Sequence, residues 1–367
     1  MTDHDNPLEL FSADYATARA HWLALADARG LVVESHVHPL RGPAGELLAV
    51  DVVRDGPADA PNVLLTTSGV HGAEGHVGCG IQAGLLRMGR SLREPGDEAT
   101  ALVHVHAVNP YGFAWTRRVT QENVDLNRNF IDFGQALPAH PDYAELHPLL
   151  LPERWPPSAD NEAALTAALD SMGPRRAQIA ITKGQHSHPD GMYYSGVEPT
   201  WSHRVFRELL RRHAGSCERL AWIDLHSGLG PFGVGERIFA CDDGVHALQR
   251  ARRWWGERVT SVHTGTSTSI PMTGPIQHAV YGECPQAEYT GICLEFGTVA
   301  LPQMLFAQRA EHWLAQHPEA EPGLAQSIKR GLRDAFYPDD EAWKRAVWSQ
   351  GLEATRQALT GLREPRC

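Results

Sequence analysis

His71 and Glu74 stand three residues apart in Ser68-Gly69-Val70-His71-Gly72-Ala73-Glu74-Gly75, which follows the apolar run 63–67 and opens toward a helix. In α/β sheets ligands gather beyond the carboxyl ends of strands. An imidazole and a carboxylate at this spacing can turn to one side and share a cation. Neutral imidazole with carboxylate suits Zn²⁺, and flanking glycines let the backbone turn tightly around the ion. Alone, the pair also fits an ordinary strand-to-helix turn. A second stretch, Trp222-Ile223-Asp224-Leu225-His226-Ser227-Gly228, again ends an apolar run with a histidine followed by small residues. His71, Glu74 and His226 then make a three-ligand set with a fourth position left for water, the arrangement of a catalytic zinc. Asp224 lies two residues before His226, on the same face of a strand, and can orient its imidazole.

Two further stretches place charge where it needs a reason. Glu295 interrupts the apolar Gly291-Ile292-Cys293-Leu294-Glu295-Phe296-Gly297. A carboxylate there is costly to bury, so it has a cation nearby, a task at the strand's end, or a solvent-facing edge; beside a metal-activated water it would be a general base. Asn109-Pro110-Tyr111-Gly112-Phe113-Ala114-Trp115-Thr116-Arg117-Arg118 and Asn123-Val124-Asp125-Leu126-Asn127-Arg128-Asn129-Phe130 supply two cationic centres ten residues apart, each beside polar amides. Such centres can hold a substrate carboxylate and stabilise an oxyanion.

The elements that must position these groups alternate. Strand-like apolar runs occur at 31–37, 48–53, 63–67, 102–108, 219–225, 237–241 and 291–296, with helical stretches at 75–88, 201–213, 245–259 and 302–316. Ser12 is expected to cap a first helix that carries Tyr15, Ala18, Trp22 and Leu25 on one face and stops near Gly30. This order predicts a mixed, mostly parallel sheet with helices on both faces. The segment 133–157, with six prolines and little periodicity, reads as an excursion from the sheet. No linker or internal repeat divides the chain. A single α/β domain over 1–367 is expected, with a catalytic core at about 40–320, an insertion at about 133–200 and a helical extension at about 320–362.

In sequence order, His71-x-x-Glu74, Arg118, Asn127-Arg128, His226 and Glu295 resemble the zinc carboxypeptidases (the M14 metallopeptidases) and the related succinylglutamate desuccinylase and aspartoacylase branch. The set SGVHGAEG, NPYGFAWTRR, NVDLNRNF, DLHSG and LEFGT most resembles the DUF2817 branch. The resemblance implies a central sheet of about eight strands, one Zn²⁺ held by His71, Glu74 and His226, and Glu295 as the base. It also implies Arg118 at the oxyanion and Asn127 and Arg128 clamping a free carboxylate; Arg117, an equally basic neighbour of Arg118, is assigned to substrate binding with them. Relatives that cut peptides carry a tyrosine before the catalytic glutamate; Tyr281 and Tyr289 both lie in that stretch, and Tyr281 is assigned to substrate binding. The insertion, with 183–188 and Tyr193-Tyr194, is expected to wall the cleft.

The implied substrate is a peptide or N-acyl amino acid with a free carboxylate, cut at the adjacent amide. A deacylase of small N-acyl amino acids and an inactive metal-binding scaffold are the alternatives. Other chemistries fit less well. Gly228-Leu229-Gly230-Pro231-Phe232-Gly233 formally matches a dinucleotide turn, yet Pro231 removes an N–H such a turn needs, and no G-x-S-x-G elbow occurs. A formal charge of −11 without a basic face opposes nucleic-acid or anionic-membrane binding, and no apolar run approaches the roughly 20 residues of a membrane span. Six scattered cysteines without a C-x-x-C pair and an N-terminus without a signal pattern lead to an expectation of reduced thiols and a cytoplasmic protein. The C-terminal helices are expected either to pack on the domain or to make a homo-oligomeric contact.

Overall fold

A computed structural model describes residues 6–94, 97–242 and 244–365. Seven strands form one sheet: β1 (Val33–Arg41), β2 (Leu47–Asp55), β3 (Asn62–Ser68), β4 (Thr100–His106), β5 (Arg219–Gly228), β6 (Gly235–Phe239) and β7 (Glu288–Gly297). Their order is β1-β2-β4-β3-β5-β7-β6. The inner strands β4, β3, β5 and β7 run parallel, while β1, β2 and β6 pair antiparallel at the flanks. The mixed sheet is as expected, with seven strands among the described residues where about eight were anticipated. All seven coincide with the apolar runs. The inner strands are buried on both faces, which is why they read as continuous runs of Val, Leu, Ile and Thr instead of alternating patterns.

The chain runs from β3 to β4 on one side and later places β5 on the other side of β3. The crevice of such a sheet opens where the winding reverses, at the carboxyl ends of β3 and β5. Register carries this to the residues: Ser68 pairs with Leu225, and His226 pairs with Glu295.

Twelve helices occur among the described residues: α1 (Tyr15–Ala28), α2 (Gly75–Met88), α3 (Pro110–Ala114), α4 (Pro141–Leu150), α5 (Ala159–Met172), α6 (Pro174–Thr182), α7 (Trp201–Ala214), α8 (Val245–Trp255), α9 (Ala279–Glu283), α10 (Leu301–Gln316), α11 (Pro322–Phe336) and α12 (Glu341–Leu362). α2, α8 and α12 cover one face of the sheet. On the other, α7 lays Phe206, Leu209 and Leu210 over Val63, Leu65, Val103 and Val105. α2 approaches β3 so closely that a Cβ at Gly78 would lie 2.5 Å from Ser68 Cβ, so only glycine fits there.

Two expectations change. Asp14, not Ser12, caps α1 by accepting from Thr17 N at 2.8 Å. The proline-rich segment contains α4, because Pro141 occupies the first turn, where its missing N–H costs nothing. The apolar face Tyr143, Leu146 and Leu150 of α4 then joins Leu165 of α5 and Ile181 of α6 in a small separate core. The C-terminal extension packs back on the domain: α11 lies on α10, and α12 on α2 and α8. Five cysteines are unpaired, and Cys367 lies outside the described residues. No helix of the described residues is long and apolar enough to cross a membrane.

Candidate active site

Beyond the end of β3, a tight turn carries His71 and Glu74. The Gly72 and Ala73 N–H groups donate to the carbonyls of Arg118 and Arg117, so the loop after α3 braces the turn. A Cβ at Gly72 would lie 2.0 Å from the Gly112 carbonyl carbon, which leaves room only for glycine. Glu74 is buried between two imidazoles, with His71 Nδ1 at 2.8 Å from Oε1 and His226 Nδ1 at 2.9 Å from Oε2. The opposite nitrogen of each ring faces another carboxylate. His226 Nε2 is 2.8 Å from Asp224 Oδ2, and His71 Nε2 is 3.2 Å from Asp125 Oδ1. Carboxylates behind metal-binding histidines fix the ring tautomer and orientation in this way.

The donor set suits zinc. Ligand atoms of His71, Glu74 and His226 all lie within 4.8 Å of one another, two nitrogens and one carboxylate oxygen, as in catalytic zinc sites. Burial alone would raise the Glu74 pKa, but the two imidazoles hold it well below the usual carboxylate range. Burial would lower His226, and Asp224 with Glu74 instead raises it well above its ordinary value.

Glu295 stands across the β5–β7 pairing from His226 and accepts from Leu229 N at 3.0 Å. Burial, with the Glu74 charge adding to it, pushes its pKa up to about 8. Cys293, two residues earlier on β7, places its sulfur within 4.8 Å of ligand atoms of His226 and Glu295 and lines the cavity.

The structure separates the two adjacent arginines. Arg118 turns inward, donating from Nε to Asp125 Oδ2 at 3.0 Å, from Nη1 to Glu74 Oε1 at 3.1 Å, and lying with Nη2 2.8 Å from His71 Nε2. Arg117 turns away: its Nε donates to Glu311 at 2.8 Å and its Nη2 to Asn123 at 3.0 Å, and it does not line the cavity. It therefore does not stand with the substrate-binding residues to which it was assigned.

Arg128 and Asn127 both line the cavity. Arg128 spends part of its donor set on the Thr182 and Asn127 carbonyls, while Asn127 Oδ1 accepts from Ile276 N at 2.9 Å. Tyr281, on α9, also lines the cavity, but its hydroxyl accepts from Asp242 N at 2.6 Å and is held at the wall. Tyr289 donates to Ala240 O and is not part of the lining. The insertion reaches the cavity through Gln178, Thr182 and Tyr193, whereas 183–188 and Tyr194 stay out of it.

Asp125 was missed as a site residue. It lies inside the Asn123–Phe130 stretch, fully buried, and accepts from Arg118, from Asn127 N and toward His71. Burial would raise its pKa, and Arg118 and Arg128 instead hold it far below the carboxylate range. An acidic residue between two basic ones in an apolar context was the available signal.

A family model described as "Protein of unknown function (DUF2817)" matches residues 11–350. Among solved structures, thrombin-activatable fibrinolysis inhibitor aligns over 95% of this chain and 73% of its own at 14% identity, with a TM-score of 0.51. Carboxypeptidase A from Helicoverpa armigera aligns over 88% and 74% at 13% identity, with a TM-score of 0.47. A metallo-carboxypeptidase from Pseudomonas aeruginosa aligns over 91% and 68% at 16% identity, with a TM-score of 0.40. At such identities the likeness is one of fold. No sequence among curated proteins matches the chain.

Proposed function

The chain belongs to the DUF2817 family, and from that premise and the geometry of its cleft we propose that it is a zinc-dependent hydrolase of an amide bond beside a free carboxylate. One observation carries the reading: two imidazoles converge on Glu74, each backed by its own carboxylate, with Glu295 at the same strand ends. An inert scaffold needs the ligands but neither Glu295 nor the inward Arg118. A zinc ion held by His71, Glu74 and His226 would supply a Lewis acid and make water a better nucleophile. Glu295 takes the proton from the attacking water and delivers it to the leaving amine nitrogen. Arg118 donates to the carbonyl oxygen as negative charge develops there. Arg128, with Asn127 beside it, binds the substrate carboxylate and fixes which amide meets Glu295.

Whether the acyl side is a peptide or a small acyl group depends on the room left by the insertion. Gln178 donates to Thr268 O, Arg175 to Ser269 O, and Thr273 N to Lys183 O, so α6 and the segment 268–273 are fastened together beside the cavity. That clasp favours small N-acyl amino acids as the second reading. Blocked dipeptides assayed beside N-acetyl and N-succinyl amino acids separate the two, and cleavage of only the small amides would leave the deacylase. Elemental analysis is the first test of either. About one zinc per chain, lost in His71→Ala, is the expected result, and a protein that takes up no metal would end both readings.

A further inference from the structure

The two arginines that face the cleft share two neighbours: the Asp125 carboxylate, 3.0 Å from Arg118 Nε and 3.9 Å from Arg128 Nη1, and an aromatic ring that comes from the insertion. The Tyr193 ring centroid lies 5.1 Å from Arg118 Cζ and 5.6 Å from Arg128 Cζ. The side chain lines the cavity, and its hydroxyl donates to Gln308 Oε1 on α10 at 3.0 Å. Its backbone is tied down: Gln185 N–H donates to Tyr193 O, and Asp125 N–H donates to Tyr194 O. Tyr193 also holds φ at +52°. A bulky residue adopts that left-handed conformation at a cost, and such strain gathers where a side chain has to be aimed.

Two buried cations this close oppose one another. Burial, with the Arg118 charge adding to it, holds the Arg128 pKa below its ordinary value despite Asp125. An aromatic face attracts a guanidinium through its quadrupole, most strongly where water is excluded. A single ring touching both groups offsets their repulsion and fixes their planes.

We propose that Tyr193 is a positioning residue: its ring sets the spacing of Arg118 and Arg128, so that one meets the scissile carbonyl while the other holds the substrate carboxylate. The inference rests on the reading of an amide beside a carboxylate. It also gives the insertion a task in the reaction, adding its ring to the Asp125 carboxylate that both arginines already share.

The test compares wild type with Tyr193→Phe and Tyr193→Met on a blocked dipeptide and on its C-terminal amide. The phenylalanine keeps the ring and should stay within about threefold for both substrates. Methionine keeps bulk without the ring; KM for the free acid should rise about tenfold with a smaller change in kcat, narrowing the preference for acid over amide. Metal content and Tm should not move. An unchanged KM in the methionine variant overturns the proposal, as does an equal loss on acid and amide with a lowered Tm. Tyr193→Leu decides the case if the methionine variant does not fold, and failure of both to fold counts against a positioning role.

Failure of the underlying reading looks different: wild type would cut neither substrate. Calorimetric titration with N-acetyl-leucine and N-acetyl-leucinamide then tests Tyr193 alone. Weaker binding of the acid only, in the methionine variant, supports it, and equal affinity in both proteins rejects it.

Discussion

Two sets of buried histidines divide the molecule. At the carboxyl edge of the sheet, His71 and His226 each lie between two carboxylates, Glu74 with Asp125 and Glu74 with Asp224. In the interior, His76, His104, His106 and His312 are as deeply buried, yet none forms an ion pair with a carboxylate among the described residues. Burial lowers the pKa of each interior ring to about 4, so they are neutral. At the sheet edge the same burial is overcome, and His226 is driven upward. Residue type and depth therefore do not decide what a histidine does here; the second carboxylate does.

The sharpest break between the regions comes from removing what only the edge has. Glu295→Gln should keep the metal and lose about two to four orders of magnitude in turnover, while His71→Ala should lose the metal as well. Normal turnover by Glu295→Gln would remove that residue from the mechanism. Arg118→Ala should cost about a hundredfold or more in kcat, the worth of an oxyanion donor. Its neighbour gives the contrast. Arg117→Ala removes one of the two cations paired with the fully buried Glu311, leaving Lys329, and should cost about 3 kcal/mol of stability while the remaining folded enzyme works normally. If thermal melts show no loss for Arg117→Ala, or kcat falls in parallel, the separation of the two arginines is wrong.

A smaller effect tests the carboxylate rule itself. Asp125→Asn keeps the shape behind His71 and removes the charge, so zinc affinity should fall about ten- to a hundredfold in a competition titration with a chelator. Unaltered affinity would make Asp125 a partner of the two arginines and not of the metal-facing imidazole.

The sequence made the edge legible because strand ends tie chemistry to pattern. A histidine that closes an apolar run, as His226 does, has its depth and direction set by the strand, and all seven strands were visible as such runs. The walls were harder to read. Arg117 and Arg118 are alike in sequence, and only the loop's path toward Glu311 or Asp125 tells them apart. Tyr193 sits in an insertion whose periodicity is interrupted by prolines, and its contact with two arginines depends on folding across distant segments. Asp125 was hidden for the opposite reason, since it lies inside a motif whose amide and arginine side chains drew the assignment.

The interior set makes the smallest and most local prediction. His106 lies beside Trp22, the rings tilted by 40° with 5.3 Å between centroids, and neither ring nitrogen has a hydrogen-bond partner among the described residues. Burial outweighs the pull of Asp51 and sets its folded pKa at about 4, below the roughly 6.5 of an unfolded chain. Between those values the unfolded state binds a proton that the folded state refuses. Its contribution is therefore intact above about pH 6.5, falls as the solution is acidified, and is spent near pH 4. Each such ring adds about 1.4 kcal/mol per pH unit to the slope in that window. His106→Phe keeps an aromatic ring beside Trp22 and removes one titrating group. Denaturant unfolding between pH 7 and 5 should then show a shallower loss of stability, by about one proton's worth. A slope identical to wild type would mean that His106 is protonated in the fold, and that burial without a carboxylate does not keep these interior rings neutral.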